Sequence, residues 1–475
     1  MPNPIKVAID LTPLRPGGEN GGAKTLIITL LKLFRSIRNR EFQYLLIGEE
    51  WNREELLEFL SPNITFVLRS EAYDSLRPTQ SDRAGRLKSK NLESLNFNRS
   101  SQFWKNLKHK TRLHLKIPIQ LRISTLKNVI ERTKKRLIRS NECLEKRPHL
   151  TSLSKHDNPI ARPVWKSRSR LSNLYDVDLL FCPFSSPHLA EEGLPLVAIF
   201  YDLQHLDLPN FFSMEERSHR DRFLKNLVDK ADRVICISDF SKHSFSNHFN
   251  AIESQLISIP ICIHERLKTP SESFKAETLT DLKLQDNQYV FFPANFWPHK
   301  NHRMLLAAYS IYRHHYPATA VDLVFTGALE APQRELREVA TYLGCVSNVH
   351  FLGFLSEEEV SCVWQGCRGL VFPSLYEGFG IPVLEAMWFD KPVACSNLGS
   401  LPEVGGDAVI YFDPRQPEAI AKAIGQLAHD QELTTRLRQR ARQHLRNFSQ
   451  QSMAKQYLDV FREVVTANLR SVSTY

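Results

Sequence analysis

Short, continuously apolar runs alternate with amphipathic helix patterns along most of this chain, and few folds accommodate such an alternation. An apolar run without a polar face is typical of a parallel strand that is buried on both sides of its sheet. In the first half these runs are residues 5–9, 44–47, 64–68, 177–181, 196–200, 234–237 and 256–259. In the second half they are residues 289–292, 321–326, 349–352, 369–372, 393–395 and 409–412. The pattern predicts an α/β protein with two doubly wound, Rossmann-like domains that face a cleft.

Breaks in this alternation predict the domain boundaries. Residues 1–270 form the first domain, and within it the alternation stops over about residues 70–172, which we interpret as an insertion. A polar stretch over residues 268–280 is typical of a linker. Residues 281–450 form the second domain, and the final helix, residues 451–475, is expected to pack back on the first domain. Ligands of open parallel sheets bind beyond the carboxyl ends of the strands, so we expect the site in the cleft.

Composition excludes several other classes of protein. No apolar run approaches the roughly 20 residues that a membrane-spanning helix needs. The N-terminus lacks the charged-then-apolar order of a signal peptide, so a cytoplasmic location is expected. The eight cysteines are scattered, and the closest pair, Cys362 and Cys367, is spaced wrongly for a CxxC redox or zinc site. We therefore expect reduced thiols.

The positive charge is concentrated in one segment. From Arg83 to Arg170 the chain has 24 Lys and Arg against 5 Asp and Glu, a net charge of +19, whereas the whole chain carries +10. Three interpretations remain open: attachment to the anionic inner face of the plasma membrane, a solvated insertion, or binding of an anionic acceptor or RNA. Aromatic residues are few there, which argues against recognition by base stacking, so nucleic acid is the least favoured partner.

Residues 372–385, Phe-Pro-Ser-Leu-Tyr-Glu-Gly-Phe-Gly-Ile-Pro-Val-Leu-Glu, carry the clearest chemical pattern. A strand ends, a glycine loop follows, and a helix begins near Pro382, a residue favoured in the first turn. Unpaired N–H groups at such a helix start suit a diphosphate. Glu377 and Glu385 flank the loop and can accept hydrogen bonds from sugar hydroxyls, although acids near a helix start are also common as solvated side chains.

This segment resembles the glutamate-x7-glutamate signature of glycosyltransferase family 4, whose members are retaining enzymes of the GT-B fold. The similarity continues over residues 391–408, Lys-Pro-Val-Ala-Cys-Ser-Asn-Leu-Gly-Ser-Leu-Pro-Glu-Val-Gly-Gly-Asp-Ala. The resemblance implies that Glu385 binds the ribose hydroxyls of a nucleotide and that Glu377 binds the donor sugar. It also implies donor contacts from the backbone amides of Phe379, Gly380 and Ile381, and a base pocket over residues 349–354 that includes Gly353.

Residues 293–302, Pro-Ala-Asn-Phe-Trp-Pro-His-Lys-Asn-His, are similar to the phosphate-binding turn of the same family. The resemblance implies that Lys300 neutralises the diphosphate, where the alternative is a solvated surface lysine. Asn295 occupies the position at which the family has an arginine and is kept as a donor contact. Arg303 or a residue of the other domain is expected to replace the missing cation.

In the first half, the glycine-rich loop over residues 16–24 resembles the family loop that faces the donor, and it contributes Gly21 and Gly22. Residues 198–212 resemble the segment in which a histidine and an aspartate follow a strand. Tyr201 stands at the histidine position and Asp202 at the aspartate position. His205 is either a compensating donor contact or a solvated loop histidine, and Arg266 has no matched role.

The resemblance implies a retaining transferase that moves a hexose, with mannose as a candidate, from a UDP- or GDP-sugar to a polysaccharide or glycolipid acceptor. Glu377, Asp202 and His205 are the catalytic candidates. Attack from the front face is implied, with the leaving phosphate helping to deprotonate the acceptor. No Asp-x-Asp motif is suitably placed, so neither a metal nor another cofactor is expected. Two alternatives stay open: a sugar-nucleotide epimerase, and an inactive basic binding or scaffold protein, which Asn295 and Tyr201 favour.

Overall fold

The computed structural model of the protein describes residues 3–15, 21–37, 41–73, 170–249, 251–328 and 330–473, all of which belong to one compact unit of the chain. The segment that the sequence predicts as a basic insertion lies outside the described residues, apart from its first and last few positions. The structure therefore does not bear on the three interpretations of this segment.

The first domain is built on a seven-stranded sheet with the order β3-β2-β1-β4-β5-β6-β7, in which all neighbouring strands run parallel. The central strands β4 and β5 are buried throughout, as their unbroken apolar sequences predict, whereas the edge strands β3 and β7 are only partly buried. The strands are β1 Ile5–Asp10, β2 Phe42–Gly48, β3 Ile64–Leu68, β4 Leu179–Cys182, β5 Leu196–Phe200, β6 Arg233–Cys236 and β7 Leu256–Ser258. The helices are α1 Gly21–Ser36, α2 Arg53–Leu57, α3 Arg69–Tyr73, α4 Arg170–Tyr175, α5 Gln204–Asp207, α6 Met214–Lys230 and α7 Asp239–Phe249.

The second domain is built on a six-stranded parallel sheet with the order β10-β9-β8-β11-β12-β13. Its strands are β8 Tyr289–Pro293, β9 Asp322–Thr326, β10 Val349–Phe351, β11 Gly369–Phe372, β12 Val393–Ser396 and β13 Ile410–Phe412. Its helices begin with α8 Glu272–Asp281, α9 His302–His315, α10 Glu330–Tyr342, α11 Glu357–Gly366 and α12 Ile381–Trp388. They end with α13 Leu401–Gly405, α14 Pro417–His429 and α15 Gln431–His444. The observed boundaries differ from the predicted ones mostly by one to three residues.

The last helix, α16 Gln450–Ser473, returns to the first domain. Phe461 is fully buried, and its ring centroid lies 5.0 Å from that of Phe181 on β4 and 6.2 Å from that of Phe34 on α1. Arg462 reinforces this packing, because its Nε lies 2.6 Å from a carboxylate oxygen of Glu41. The end of the chain thus covers the first sheet with apolar side chains.

The predicted linker over residues 268–280 is wrong, because most of this segment forms α8. Ser271 caps the helix and accepts a hydrogen bond from the backbone N–H of Phe274 at 3.3 Å. Only Thr278 and Leu279 of the helix are buried, so its sequence is polar and lacks the apolar periodicity that identifies a helix. No helix in the described part of the chain combines the length and the apolarity that a membrane span requires.

Candidate functional site

A cleft of about 500 Å³ lies between the carboxyl edges of the two sheets. The second domain lines it with the loops that follow β8 and β11, and the first domain with the start of α1 and the loop after β5. Strands β8 and β11 are neighbours at the point where the strand order of the second sheet reverses. Open parallel sheets bind their ligands at such a point, because the adjacent loops diverge to opposite faces and leave a crevice.

The loop between β11 and α12 depends on two of its glycines. Gly380 has φ +105°, a conformation that residues with a Cβ rarely adopt, and it directly precedes α12. A Cβ on Gly378 would lie 2.6 Å from the carbonyl oxygen of Tyr201, so only glycine lets the loop approach the first domain this closely. At the start of α12 the backbone N–H of Ile381 has no acceptor within the helix, and Ile381 lines the cleft. Pro382 has no N–H, and the N–H of Val383 donates to the carbonyl oxygen of Gly380 at 3.0 Å.

Hydroxyl groups from both domains hold this loop. Ser238, at the end of the first domain's β6, donates to the carbonyl oxygen of Gly378 at 2.7 Å. The hydroxyl of Ser400, which precedes α13, donates to the carbonyl oxygen of Phe379 at 2.7 Å, and its backbone N–H donates to that of Glu377 at 3.3 Å. The loop is therefore fixed before a ligand arrives, which reduces the entropy that binding would cost.

Lys300 and Glu377 form an ion pair in the cleft. Lys300 Nζ donates to Glu377 Oε1 at 2.7 Å, and their side chains are 18% and 11% exposed. Asn301 adopts the left-handed conformation (φ +65°), and its side-chain amide donates to the carbonyl oxygens of Pro373 at 3.1 Å and Pro414 at 2.8 Å. These bonds attach the turn that carries Lys300 to the loop that carries Glu377, so the two charged groups share one wall.

Glu385 is buried in α12, and its partner is Arg266, a residue that the sequence left without a role. Arg266 donates from Nη2 to Glu385 Oε1 at 2.6 Å and from Nε to Glu357 Oε1 at 2.9 Å. Burial acts to lower the pKa of the Arg266 guanidinium, but the two carboxylates outweigh this effect and raise the pKa above its ordinary value. The sequence carried no signal for this contact, because Arg266 and Glu385 lie 119 positions apart.

Asn295 lines the cleft, and its side-chain oxygen accepts from the backbone N–H of Ala328 at 3.1 Å. This bond joins the loop after β8 to the loop after β9. Arg303, the expected substitute for the missing arginine, is 66% exposed and pairs with Glu335 at 2.8 Å. It does not line the cleft in this structure. Arg266 is the further cationic side chain at the cleft.

His299 also lines the cleft, directly before Lys300 in the chain. Burial, together with the nearby Lys300 charge, lowers the pKa of His299 to about 3. The imidazole is therefore neutral at neutral pH and can both donate and accept hydrogen bonds. No pattern in the sequence indicates this residue as part of the site.

Both Asp202 and Tyr201 line the cleft. Asp202 follows β5, and its carboxylate accepts from the backbone N–H of Gln204 at 3.0 Å. The Tyr201 hydroxyl, at the position that resembles a donor-binding histidine, donates to the carbonyl oxygen of Pro183 at 2.8 Å.

His205, a catalytic candidate from the sequence, does not line the cleft. Its side chain is only 1% exposed, and Nε2 lies 3.0 Å from a carboxylate oxygen of Asp221 on α6. In the short helix α5 the side chain of residue 205 points into the first domain, whereas Gln204 contributes to the cleft. Burial lowers the pKa of His205, although Asp221 acts to raise it.

The remaining predicted donor contacts line the cleft from both sides. Gly21 and Gly22 begin α1, and a Cβ on Gly22 would lie 2.8 Å from Cδ1 of Ile381 at the start of α12. Gly353 lies at the second domain's end of the cleft beside Phe354, whose side chain is 74% exposed. Among the described residues, no group of three or more His, Cys, Asp or Glu side chains is arranged to hold a metal ion.

Comparison with known proteins gives a consistent assignment. The family model "Glycosyl transferases group 1" matches residues 275–444. The chain is 30% identical over 253 residues to the O-antigen chain mannosyltransferase B of Escherichia coli, which covers 52% of this chain and 64% of that protein. It is 25% identical over 280 residues to the serotype-specific mannosyltransferase WbdA of Escherichia coli. This alignment covers 58% of this chain and 33% of that protein. The chain thus spans less than two thirds of each of these relatives.

Among solved structures, the chain is similar to Anabaena Alr3699/HepE in complex with UDP and glucose, with a TM-score of 0.61 at 16% sequence identity. The similarity covers 97% of this chain and 100% of that one. It confirms the predicted GT-B fold.

Proposed function

We propose, from the match of residues 275–444 to the family model "Glycosyl transferases group 1", that the chain transfers a sugar from a nucleotide-sugar to a glycan acceptor. The observation that carries the proposal is the convergence of Lys300, Glu377, Glu385 and the start of α12 on one wall of the cleft. A cation, two acids and the backbone N–H groups of Phe379, Gly380 and Ile381 match the diphosphate, sugar and ribose of such a donor.

The diphosphate is proposed to lie between Lys300 and the start of α12. The N–H groups of a helix start, with the positive end of the helix dipole, favour a phosphate at that place. Negative charge increases on the diphosphate as the bond to the sugar breaks, and Lys300 would stabilise that charge in the transition state. This arrangement needs no metal ion, so the absence of a metal requirement is part of the proposal.

The two acids are proposed to hold the hydroxyl groups of the donor. Glu385 would accept from the ribose, and Glu377 from the transferred sugar. Carboxylates are strong acceptors in a shielded cleft, because hydrogen bonds to charged groups are stronger than neutral ones. The ion pair also holds Glu377, which would bind the sugar, next to Lys300, which would bind the diphosphate, before the donor arrives.

The acceptor is proposed to enter from the first domain, where Asp202 and Gln204 line the cleft. Its hydroxyl would attack the anomeric carbon on the face of the leaving phosphate, with formation of the new C–O bond as the bond to the diphosphate breaks. A phosphate oxygen would take the acceptor proton. Transfer on one face retains the anomeric configuration, and Asp202 would position the acceptor or the donor sugar.

Mannose is the first candidate sugar, because both curated relatives are named as mannosyltransferases, one of them of the O-antigen chain. UDP- and GDP-linked donors both remain candidates, since UDP and glucose are the ligands named for the Anabaena structure. The acceptor class is proposed to be a polysaccharide or glycolipid. A site of action in the cytoplasm, at the inner face of the plasma membrane, is supported by the basic segment of the sequence alone.

The test is a transfer assay with a panel of UDP- and GDP-sugars, a polysaccharide or lipid-linked acceptor, and product analysis by mass spectrometry and NMR. We expect a glycosylated product with retained anomeric configuration from one donor. An isomerised donor sugar, formed without any acceptor, would indicate the epimerase instead. Donor binding with neither transfer nor hydrolysis by any donor would indicate the binding protein.

A further inference from the structure

Arg266 lies on the segment that connects the two sheets, after β7 and before α8, and its side chain reaches the cleft. Three of its donors are used. Nη2 and Nε bond to Glu385 and Glu357, and Nη1 donates to the carbonyl oxygen of Ile263 at 3.1 Å. A planar guanidinium with its donors fixed in this way sets the position of a bound carboxylate. The ammonium group of a lysine is a point charge and does not fix that position.

The neighbours of Arg266 are tied to the second domain and to α16. The indole Nε1 of Trp388, the last residue of α12, donates to the carbonyl oxygen of Leu267 at 2.9 Å. The carboxylate of Glu265 accepts from the backbone N–H of Gln450 at 3.2 Å. The backbone on both sides of Arg266 is therefore anchored, and the guanidinium has little freedom to follow a moving ligand.

The Arg266 contact leaves half of the Glu385 carboxylate available. The Glu385 side chain is 6% exposed, and such a buried carboxylate is stable only with a partner. Oε1 accepts from Arg266, whereas Oε2 accepts no hydrogen bond from the residues that the structure describes. The carboxylate is thus held by one oxygen and presents the other to the cleft.

We propose that Arg266 is a positioning residue, which holds Glu385 by Oε1 so that Oε2 faces the ribose hydroxyls of the nucleotide. The inference rests on the proposed function, in which Glu385 binds the ribose. Without Arg266, the buried carboxylate loses its cation and stands near a second acid, Glu357, so it turns away or takes up a proton. In both cases the ribose loses its acceptor.

The experiment is calorimetric titration with UDP, 2′-deoxy-UDP and 3′-deoxy-UDP, and with the corresponding guanine nucleotides. Because a hydrogen bond to a charged group is a strong one, we expect wild type to bind the ribonucleotide about tenfold more tightly than a deoxy form. Arg266→Met is expected to reduce this preference to about threefold or less. Arg266→Lys keeps the positive charge but lacks the planar arrangement of guanidinium N–H donors. It is expected to recover only part of the preference for the ribonucleotide.

Two controls separate positioning from a general loss of stability. Arg303→Met removes a guanidinium that also pairs with a glutamate of the second domain but lies outside the cleft, and it should keep the wild-type preference. Glu357→Gln leaves the hydrogen bond from Arg266 to Glu385 in place, so this variant should also keep the wild-type preference for the ribonucleotide. If Arg266→Met does not fold, Arg266→Lys carries the test.

Unchanged ribose preference in the Arg266 variants would overturn the inference. So would tighter binding of the ribonucleotide by Arg266→Met, because the arginine would then compete with the ribose for Glu385. Equal binding of ribo- and deoxynucleotides by wild type would instead refute the role of Glu385 in the proposed function. That result is read from wild type alone, so the two failures are distinguishable.

Discussion

Lys300 Nζ and Glu377 Oε1 lie 2.7 Å apart in the cleft, although the two residues are 77 positions apart in the chain. Lys300 follows β8 and Glu377 follows β11, and these strands are hydrogen-bonded neighbours in the second sheet. The order of the strands thus creates the charge pair, and each partner reduces the cost of holding the other in a shielded place.

Lys300→Met should weaken the binding of a nucleoside diphosphate. The substitution removes the cation beside the proposed diphosphate and leaves Glu377 as an unpaired acid in the cleft. We expect the Kd for UDP or GDP, whichever binds wild type, to rise about tenfold to a hundredfold, or roughly 1.4–2.8 kcal/mol. Titration calorimetry measures the Kd, and the control is Lys422→Met, which replaces an exposed lysine of α14. Equal Kd values for Lys300→Met and wild type would refute the phosphate role.

Gly378→Ala should disturb both stability and donor binding. The new Cβ would lie 2.6 Å from the Tyr201 carbonyl oxygen, so the loop must move away from the first domain. We expect a loss of about 1–3 kcal/mol in the free energy of unfolding by urea, with weaker donor binding. Gly344→Ala is the control, because Gly344 also has a positive φ (+68°) but no atom lies within 4 Å of the added Cβ. Its backbone strain should lower stability and leave donor binding intact. A Gly378→Ala protein with wild-type donor affinity would contradict the close approach.

Folding stability should fall in mild acid because of His302. Burial lowers the pKa of His302 in the folded protein to about 3, whereas its ordinary value is 6.5. Below pH 6.5 the unfolded chain binds a proton that the folded protein does not, so stability decreases as pH falls towards 3. From pH 7 to pH 5 this amounts to about 2 kcal/mol.

His302→Phe should remove that part of the pH dependence, because the ring packs among Phe292, Phe296 and Phe325, where phenylalanine fits. Urea unfolding at pH 7 and pH 5 measures the difference, with the exposed His315→Phe as the control. If His302→Phe loses as much stability in acid as wild type does, the buried imidazole is not responsible.

Removal of divalent metal should leave the proposed transfer unchanged. The positive charge of Lys300 and the start of α12 is expected to take the place of a metal beside the diphosphate. The measurement is the initial rate of transfer after dialysis against EDTA, compared with the rate after addition of Mg²⁺ or Mn²⁺. Loss of the rate with EDTA and its recovery with metal would contradict this mechanism.

Much of the fold could be predicted from local sequence. A strand buried on both faces needs an unbroken apolar run, so residues 369–372 and 196–200 gave the observed limits of β11 and β5. The segment from Pro373 to Glu385 likewise carries its own signals, because Gly380 and Pro382 are suited to the turn and to the first turn of α12. Helix α8 had no such signal, since only two of its residues are buried.

The sequence by itself determined the two α/β domains, the glycine loop and the acids beside it, because backbone conformation and burial periodicity depend on neighbouring residues. Only the tertiary structure decided that Arg266 meets Glu385, that His205 is buried outside the cleft, and that Arg303 pairs with Glu335 instead of lining the cleft. Such pairings depend on which strands become neighbours and which way each helix turns. Those relations join residues distant in the chain, so they have no local pattern.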